Sequence, residues 1–350
     1  MRRRTFLCSL AALGVALAAA PTAPAAPQLD SRITIAKASL TTADEVMIGF
    51  SLGNAGDRSA RVLRWQTPLY GVDDNLFEVA RDGERVAYLG RHVRRPAPRP
   101  SDYVWIRPGE VLTATVALSS LYDFSKPGRY TVRYRVRTFD PGARGLGEAL
   151  VDLVKSDLLT LTLEGDDLSE PPRGVSEQAP GEQEVPGPKF LAPRFQSCST
   201  SRRNTIRGAL SGAHGQTDSS LSYMNSGQTG SRYTSWFGRY SSSRYQTVRS
   251  TFAKIDDALR NKTLTFDCSC TEDFYAYVYS DDPYVIYLCN VFWGASAADK
   301  AGTITHELSH FNVVAGTSDW AYGVSACQAL ARQSPAQAVD NADNVAYFGY

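Results

Sequence analysis

The sequence has no excess of either charge, few histidines and no long apolar run beyond its first twenty residues. Lys and Arg total 37 against 36 for Asp and Glu, which argues against a protein whose main role is to coat nucleic acid. Hydrophobic residues make up 43% of the 350 residues and charged residues 21%, as in soluble globular proteins. At roughly 100–200 residues per domain, this length predicts two domains and allows three. The four histidines are His92, His214, His306 and His310.

The start of the sequence has the pattern of an export signal. A basic segment, Met1–Arg4, precedes the apolar run Phe6–Ala20, which is shorter than the about 20 apolar residues that a membrane-spanning helix needs. Ala23-Pro24-Ala25 then matches a small-x-small cleavage site, so residues 1–25 are predicted to be a signal peptide and the protein to be secreted. The pair Arg3-Arg4 leaves the Sec and twin-arginine routes both open.

Cysteine is also scarce, and after the predicted signal it is confined to the second half of the chain. Once Cys8 leaves with the signal, an odd number remains, which allows at most two disulfides and one leftover thiol. Cys268 and Cys270 are predicted to lie on one strand and face the same way, so each is expected to pair with a distant cysteine. Metal binding by this pair is the alternative, but a matching second cluster is missing. The remaining cysteines are Cys198, Cys268, Cys270, Cys289 and Cys327.

Residues 26–165 are predicted to form an all-β sandwich. Apolar and polar residues alternate over residues 130–137, and Asp82-Gly83 is typical of a hairpin turn. This half holds no cluster that we interpret as catalytic, and His92, which lies among arginines, is predicted to occupy a solvated basic loop. Further strands are predicted at Arg32–Ala36, Val46–Leu52, Val111–Leu118 and Leu158–Leu163.

Residues 166–193 are rich in Pro, Gly and Glu and predict a linker that is open to proteolytic nicking. Residues 194–350 are predicted to form a second domain of the α+β class. The expected helices are Arg244–Arg260 and Ala301–Val313, the latter capped by Asp299. The expected strands are Leu264–Cys270, Tyr275–Tyr279 and Val285–Val291.

His306-Glu307-Leu308-Ser309-His310 is an HExxH motif. On a helix, positions i and i+4 differ by only about 40° in direction, so both imidazoles would face one point and could bind Zn²⁺. Glu307 would reach a water at the metal without being a ligand and could accept its proton.

A catalytic zinc site needs a third protein ligand, and the sequence limits the choice. No histidine follows His310 and no glutamate follows Glu307. The remaining downstream carboxylates are Asp319, Asp340 and Asp343. Asp319 is the nearest and follows Gly316, which can turn the chain back, so we expect it to be the ligand; a plain turn residue is the alternative.

The HExxH motif followed by Gly316-Thr317-Ser318-Asp319-Trp320-Ala321-Tyr322-Gly323 resembles the signature of the deuterolysin, or aspzincin, metalloendopeptidases. Residues 194–350 are most similar to the peptidyl-Lys branch of that family, and the N-terminal half resembles the Ig-like pro-domain of bacterial members. The resemblance implies the disulfides Cys198–Cys268 and Cys270–Cys289, which leave Cys327 free. It also implies that the Tyr322 hydroxyl supports the oxyanion of the tetrahedral intermediate.

The resemblance implies a substrate pocket for lysine as well. Asp343 matches a pocket aspartate, whereas Ala346 stands where lysine-specific members have a glutamate. We therefore expect a preference for Lys on the C-terminal side of the cut, with broad deuterolysin-like cleavage as one alternative. A non-enzymatic surface-binding protein with a degenerate protease domain is the other.

The expected protein is thus a monomeric, secreted endopeptidase with one Zn²⁺ per chain, made as a precursor whose pro-domain ends between Pro188 and Phe195. Because the pro-domain has no cysteine, its inhibition of the enzyme would need another ligand, such as a carboxylate, or steric occlusion.

Overall fold

The structure is a computed structural model that describes residues 28–140, 149–168 and 191–350. The predicted signal peptide and most of the predicted linker, Lys189 included, lie outside these ranges. Within them, no helix combines the length and the apolar character needed to cross a lipid bilayer.

The first half of the described chain consists of strands, with short 3₁₀ turns and no α-helix. The strands are β1 Leu29–Ile35, β2 Ser39–Thr41, β3 Met47–Asn54, β4 Ala60–Leu63, β5 Phe77–Arg81, β6 Glu84–Arg85, β7 Arg91–Arg94, β8 Tyr103–Ile106, β9 Val111–Ala117, β10 Gly128–Asp140, β11 Ala149–Lys155 and β12 Leu159–Glu164. The four strands predicted outside residues 130–137 are confirmed as β1, β3, β9 and β12, with small differences at their ends.

Two sheets of this half share one core. One has the order β1-β3-β9 and the other the order β2-β12-β10-β5-β6, with β11 beside β10. Alternate residues of β10, such as Tyr130 and Tyr134, are fully buried and pack with Phe50 of β3 in that core. The predicted hairpin is confirmed, because Asp82 and Gly83 join β5 to β6 with φ of 50° and 90°. The Ig-like character of this half remains a prediction.

The second half mixes helices with a small sheet. Its elements are β13 Arg194–Gln196, α1 Thr200–Asn225, α2 Ser231–Phe237, α3 Ser242–Asn261, β14 Thr265–Asp267, β15 Ala276–Tyr279, β16 Val285–Leu288, α4 Asn290–Gly294, α5 Ala297–His310, α6 Val324–Gln333, α7 Pro335–Ala338 and α8 Ala342–Phe348. The predicted helix Arg244–Arg260 is confirmed as α3, whose Val248, Phe252 and Ile255 are fully buried.

Helix α1 has no counterpart among the predictions. Its buried face carries small or polar residues such as Ala213, Thr217 and Ser220, so it lacks the apolar periodicity of an amphipathic helix. Small residues allow α1 to pack closely on α5: a Cβ atom at Gly212 would lie 2.8 Å from the Cβ of Ala301. The close packing places α5 in the interior of this half.

The structure contains the two disulfides that the resemblance implies. Cys198 bonds to Cys268 and Cys270 bonds to Cys289, while Cys327 is free and buried. The prediction of one strand that extends through Cys270 is wrong, because β14 ends at Asp267. The two cysteines follow the strand, where each can turn to its own partner.

The sheet of the second half includes a strand from the first half. Its order is β13-β14-β16-β15-β7, and β7 pairs antiparallel with β15, with Arg94 opposite Ala276 and Arg91 opposite Tyr279. The two halves are therefore joined by backbone hydrogen bonds along one sheet edge. This arrangement brings residues 91–95 next to helix α5.

Candidate active site

Helix α5 carries the HExxH motif and is buried on all sides from Ala301 to His310. It begins earlier than predicted, because the Ser296 side chain accepts a hydrogen bond of 3.1 Å from the backbone N–H of Asp299 and is the N-cap. It ends at His310, since Phe311 is in an extended conformation. The charged and polar residues of the motif are thus held in the interior, where each needs a partner.

The two histidines of the motif are held through the same ring nitrogen. Nδ1 of His306 lies 2.9 Å from Oδ1 of Asp343, and Nδ1 of His310 lies 2.8 Å from the carbonyl oxygen of Thr317. With Nδ1–H donating to these acceptors, each Nε2 keeps its lone pair. The two Nε2 atoms are 3.1 Å apart, so both lone pairs converge on one point.

Asp319 reaches the same point from the loop that follows α5. The chain reverses at Gly316, which has a φ of 60°, and Ser318 donates its backbone N–H to the carbonyl oxygen of Asp340 at 2.8 Å. The reversal leaves the carboxylate oxygens of Asp319 at 3.3 Å from His306 Nε2 and 3.2 Å from His310 Nε2. The structure therefore brings together the three residues that the sequence predicts as ligands.

The spacing of these donor atoms fits a zinc ion. Ligand bonds of ~2.0 Å in a tetrahedral site place neighbouring donors ~3.3 Å apart. The two Nε2 atoms are 3.1 Å apart, and Oδ1 and Oδ2 of Asp319 lie 3.3 Å from His306 Nε2 and 3.2 Å from His310 Nε2, respectively. Both oxygens of Asp319 are buried without a hydrogen-bond donor. Two imidazoles and a carboxylate are donors that Zn²⁺ prefers, and the set leaves one position for water or substrate.

The protonation of the three groups reflects their contact. Burial by itself would raise the pKa of Asp319, but the neighbouring imidazoles outweigh it and hold that pKa below its ordinary value. Burial opposes the charged form of His310, yet the Asp319 carboxylate and Glu307 raise its pKa to about 9. Burial is the main cause that lowers the pKa of His306.

Glu307 faces the site without a partner of its own. Both carboxylate oxygens are buried and have no hydrogen-bond partner, and burial raises the pKa of Glu307 to about 8. In its ionised form, this buried carboxylate next to the donor cluster, with both oxygens free, can accept a proton from a water that binds there.

Tyr322 lies on the other side of the donor cluster and is held by the first half of the chain. Its hydroxyl donates to Oδ2 of Asp74 at 2.8 Å and lies 3.3 Å from Nη1 of Arg95. Burial and the nearby Asp319 raise the pKa of Asp74 to about 7. Local sequence patterns do not indicate Asp74 or Arg95. Both lie in the first half of the chain, which reaches this site through long-range contacts such as the pairing of β7 with β15.

Asp343 is buried rather than solvated and has three partners. Its Oδ1 contacts His306 Nδ1 and lies 3.1 Å from Nε of Arg94, while its Oδ2 accepts the backbone N–H of Gly323 at 2.9 Å. The residue predicted to bind a substrate lysine thus binds an arginine of the same chain. It also orients the imidazole of His306, one of the predicted metal ligands.

The prediction that His92 lies in a solvated loop is wrong. His92 is 4% exposed, and its ring stacks on that of His310 with 4.4 Å between the ring centroids. His92, His310 and Asp319 each offer a ligand atom within 4.8 Å of the others. Three of the four histidines therefore converge here, and their scarcity was the one signal that could have linked His92 to the site; His214 lies on α1.

The sequence is similar to those of known proteins over most of its length. The family profile described as lysine-specific metallo-endopeptidase, Aspzincin M35, matches residues 222–350. An extracellular protease of Aeromonas hydrophila is 39% identical, over 91% of this chain and 91% of the relative. The peptidyl-Lys metalloendopeptidase of Armillaria mellea is 30% identical, over 99% of this chain and 96% of the relative.

A solved zinc peptidase of Grifola frondosa is 41% identical with a TM-score of 0.42, over 43% of this chain and 96% of that chain. The family resemblance carried by the HExxH and GTSDWAYG segments is confirmed, since two relatives align over nearly their whole length. The alternative of a non-enzymatic surface-binding protein is set aside because these relatives are proteases. The chain belongs to the deuterolysin, or aspzincin, family of zinc metalloendopeptidases.

Proposed function

We propose that this protein is a secreted endopeptidase made as a latent precursor, which prefers lysine on the C-terminal side of the cut. His306, His310 and Asp319 hold one zinc ion per chain. The observation that carries the proposal is the cluster of donor atoms beside a buried Glu307 whose oxygens have no partner. The two Nε2 atoms are 3.1 Å apart, and the two oxygens of Asp319 lie 3.3 Å from His306 Nε2 and 3.2 Å from His310 Nε2. Secretion is supported by the pattern of residues 1–25.

The reaction follows from the positions of Glu307 and Tyr322. When bound, zinc supplies a Lewis acid that makes water more acidic and polarises the peptide carbonyl. Glu307 accepts a proton from the attacking water and returns it to the leaving amine, as a general base and then a general acid. The Tyr322 hydroxyl donates a hydrogen bond to the carbonyl oxygen as negative charge develops on it.

Tyr322→Phe should lower kcat by about 10²- to 10³-fold, the range found when one oxyanion donor is removed. KM should change little, because the hydrogen bond forms in the transition state. Steady-state kinetics on a fluorogenic peptide measure both constants. The matched control is Tyr240→Phe, which removes a hydroxyl from a residue that is 50% exposed. A drop of less than about threefold would assign Tyr322 a packing role instead.

Strand β7 supports the proposal of a latent precursor. It pairs with β15 as an extended substrate would, and it carries His92 onto His310 and Arg94 onto Asp343. Asp74 and Arg95 of the same half engage the Tyr322 hydroxyl. We infer that the first half of the chain blocks the cleft by steric occlusion and holds the groups that the reaction needs.

Processing should release a C-terminal fragment that begins between Pro188 and Phe195. A cut before Arg194 preserves β13, since the backbone N–H of Arg194 donates to the carbonyl oxygen of Leu264 at 2.8 Å. N-terminal sequencing of the secreted protein locates the cut, and Glu307→Gln expressed alone should stay full length.

Equal trimming of Glu307→Gln would show that another protease matures the precursor. Active protein that keeps residues 26–190 attached would show that the first half belongs to the working enzyme.

The preference for lysine is tested by digestion of a denatured proteome followed by mass spectrometry of the new N-termini. The proposal predicts that lysine is strongly enriched as the first residue of the products. New N-termini spread over residue types as in the starting proteome would support broad deuterolysin-like cleavage instead.

A further inference from the structure

The side chain of Arg94 is 2% exposed and occupies the place beside Asp343 where the sequence predicts a pocket for a substrate lysine. We propose that this pocket accepts arginine as well as lysine on the C-terminal side of the scissile bond, and that Thr303 is the residue that fits it to a guanidinium. The inference rests on the proposed endopeptidase function and deepens it by defining the substrate class.

The backbone of β7 presents Arg94 to the pocket as a substrate would. Substrates that extend a sheet pair with its edge strand, and alternate side chains then enter pockets of the enzyme. β7 has this arrangement, since Val93 lies opposite Tyr277 and Arg94 lies opposite Ala276 of β15. The pocket is therefore entered by an arginine from an extended, paired strand.

The contacts of Arg94 match the forked shape of a guanidinium. Nε donates to Asp343 Oδ1 at 3.1 Å, and Nη1 donates to Thr303 Oγ1 at 2.5 Å and to the carbonyl oxygen of Asp299 at 3.0 Å. Nη2 lies 3.4 Å from the hydroxyl of Tyr350, and the ring of Tyr275 has its centroid 5.1 Å from the guanidinium carbon. Acceptors thus surround the whole group, whereas an ammonium presents its three donors at one point.

The charge of the pocket also suits either basic residue. Asp343 provides a buried carboxylate that a cation can pair with, while Thr303 and the Asp299 carbonyl are neutral acceptors. Because the hydrogen bonds to a charged donor are the strong ones, removal of Thr303 Oγ1 should weaken arginine binding measurably.

Four peptides that differ only in the residue after the scissile bond test the inference: Lys, Arg, citrulline and norleucine. The full chain is expressed with its own signal, and the zinc-loaded enzyme is assayed in its processed form. We expect kcat/KM for the Arg peptide within about tenfold of the Lys peptide. We expect the citrulline peptide, which keeps the shape without the charge, to be cut at least about tenfold more slowly than the Arg peptide.

Thr303→Val should lower kcat/KM for the Arg peptide by about tenfold or more and so reduce the Arg-to-Lys ratio. The matched control is Thr305→Val on the same helix, whose buried hydroxyl has no partner and which should leave the ratio unchanged. A ratio that Thr303→Val leaves unchanged would overturn the role of Thr303.

Cleavage of the Lys peptide with the Arg peptide more than about tenfold slower would overturn the inference and leave the endopeptidase function standing. Equal cleavage of all four peptides would overturn it as well, since the pocket would then not select charge. If the zinc-loaded protein cuts none of the four peptides and does not hydrolyse casein, the proposed function itself fails.

Discussion

Glu307→Gln should lower peptide hydrolysis by about 10²- to 10⁴-fold, the usual contribution of a positioned general acid or base, while zinc binding stays at the wild-type level. Glutamine keeps the shape of the side chain but cannot accept a proton at a carboxylate. Glu307 is buried with both oxygens unpartnered, and one of these oxygens lies within 4.8 Å of a ring nitrogen of His306 and of His310. Because His306, His310 and Asp319 are the expected ligands, Glu307→Gln should leave the metal site intact.

Because Glu307→Gln is expected to stay full length when expressed alone, the variant is first cut in trans by wild-type enzyme, which is then removed. Kinetics and metal analysis are done on the same processed preparation. Glu272→Gln is the matched control, because Glu272 is the other glutamate of residues 194–350 and its side chain is 49% exposed. It should leave hydrolysis by the processed enzyme within about twofold, as expected of an exposed ion pair. Full activity of zinc-loaded Glu307→Gln would exclude Glu307 as the base.

The unprocessed chain should hydrolyse a fluorogenic peptide at least about 10²-fold more slowly than the processed enzyme. Removal of one partner from a buried ion pair costs about 3–5 kcal/mol, which is more than a hundredfold in an equilibrium constant. Arg94→Ala breaks the contact with Asp343, in which both side chains are almost fully buried. The full-length variant should therefore gain at least about tenfold in activity as β7 leaves the cleft.

Two variants serve as controls. The initial rates of the full-length wild type, Arg94→Ala and both controls are compared, and gel electrophoresis shows that each chain is intact. Arg94→Lys keeps a cation for Asp343 and should stay latent. Arg58→Ala removes an exposed arginine of the same half and should also stay latent. An unprocessed wild-type chain as active as the processed enzyme would contradict the proposal that β7 blocks the cleft.

The sequence predicts the site residues of the second half of the chain well, because the three predicted ligands lie close together in the sequence. The i, i+4 spacing of His306 and His310 sets their direction on any helix. The absence of downstream histidine and glutamate leaves three aspartates, of which Asp319 is the nearest. The structure places these three residues together. Amphipathic segments such as α3 are predictable for the same reason, since a short repeat defines the buried face.

The errors arise where distant segments meet. Nothing in the local pattern of β7 indicates that it pairs with β15 of the other half. The sequence therefore predicts a solvated loop for His92, whereas its ring stacks on that of His310. Helix α1 is not predictable from an apolar repeat, because its close packing against α5 favours small residues on its buried face. The predicted strand Leu264–Cys270 is longer than β14, because β-propensity does not show where a disulfide-linked loop begins.

Metal content and casein hydrolysis, measured on the same processed enzyme, test whether His306, His310 and Asp319 hold one catalytic zinc ion. We expect one zinc ion per chain, loss of hydrolysis in proportion to the zinc removed by 1,10-phenanthroline, and recovery on return of about one equivalent of zinc. Hydrolysis that persists in the zinc-free enzyme, or zinc-loaded processed enzyme that hydrolyses nothing, would contradict this expectation.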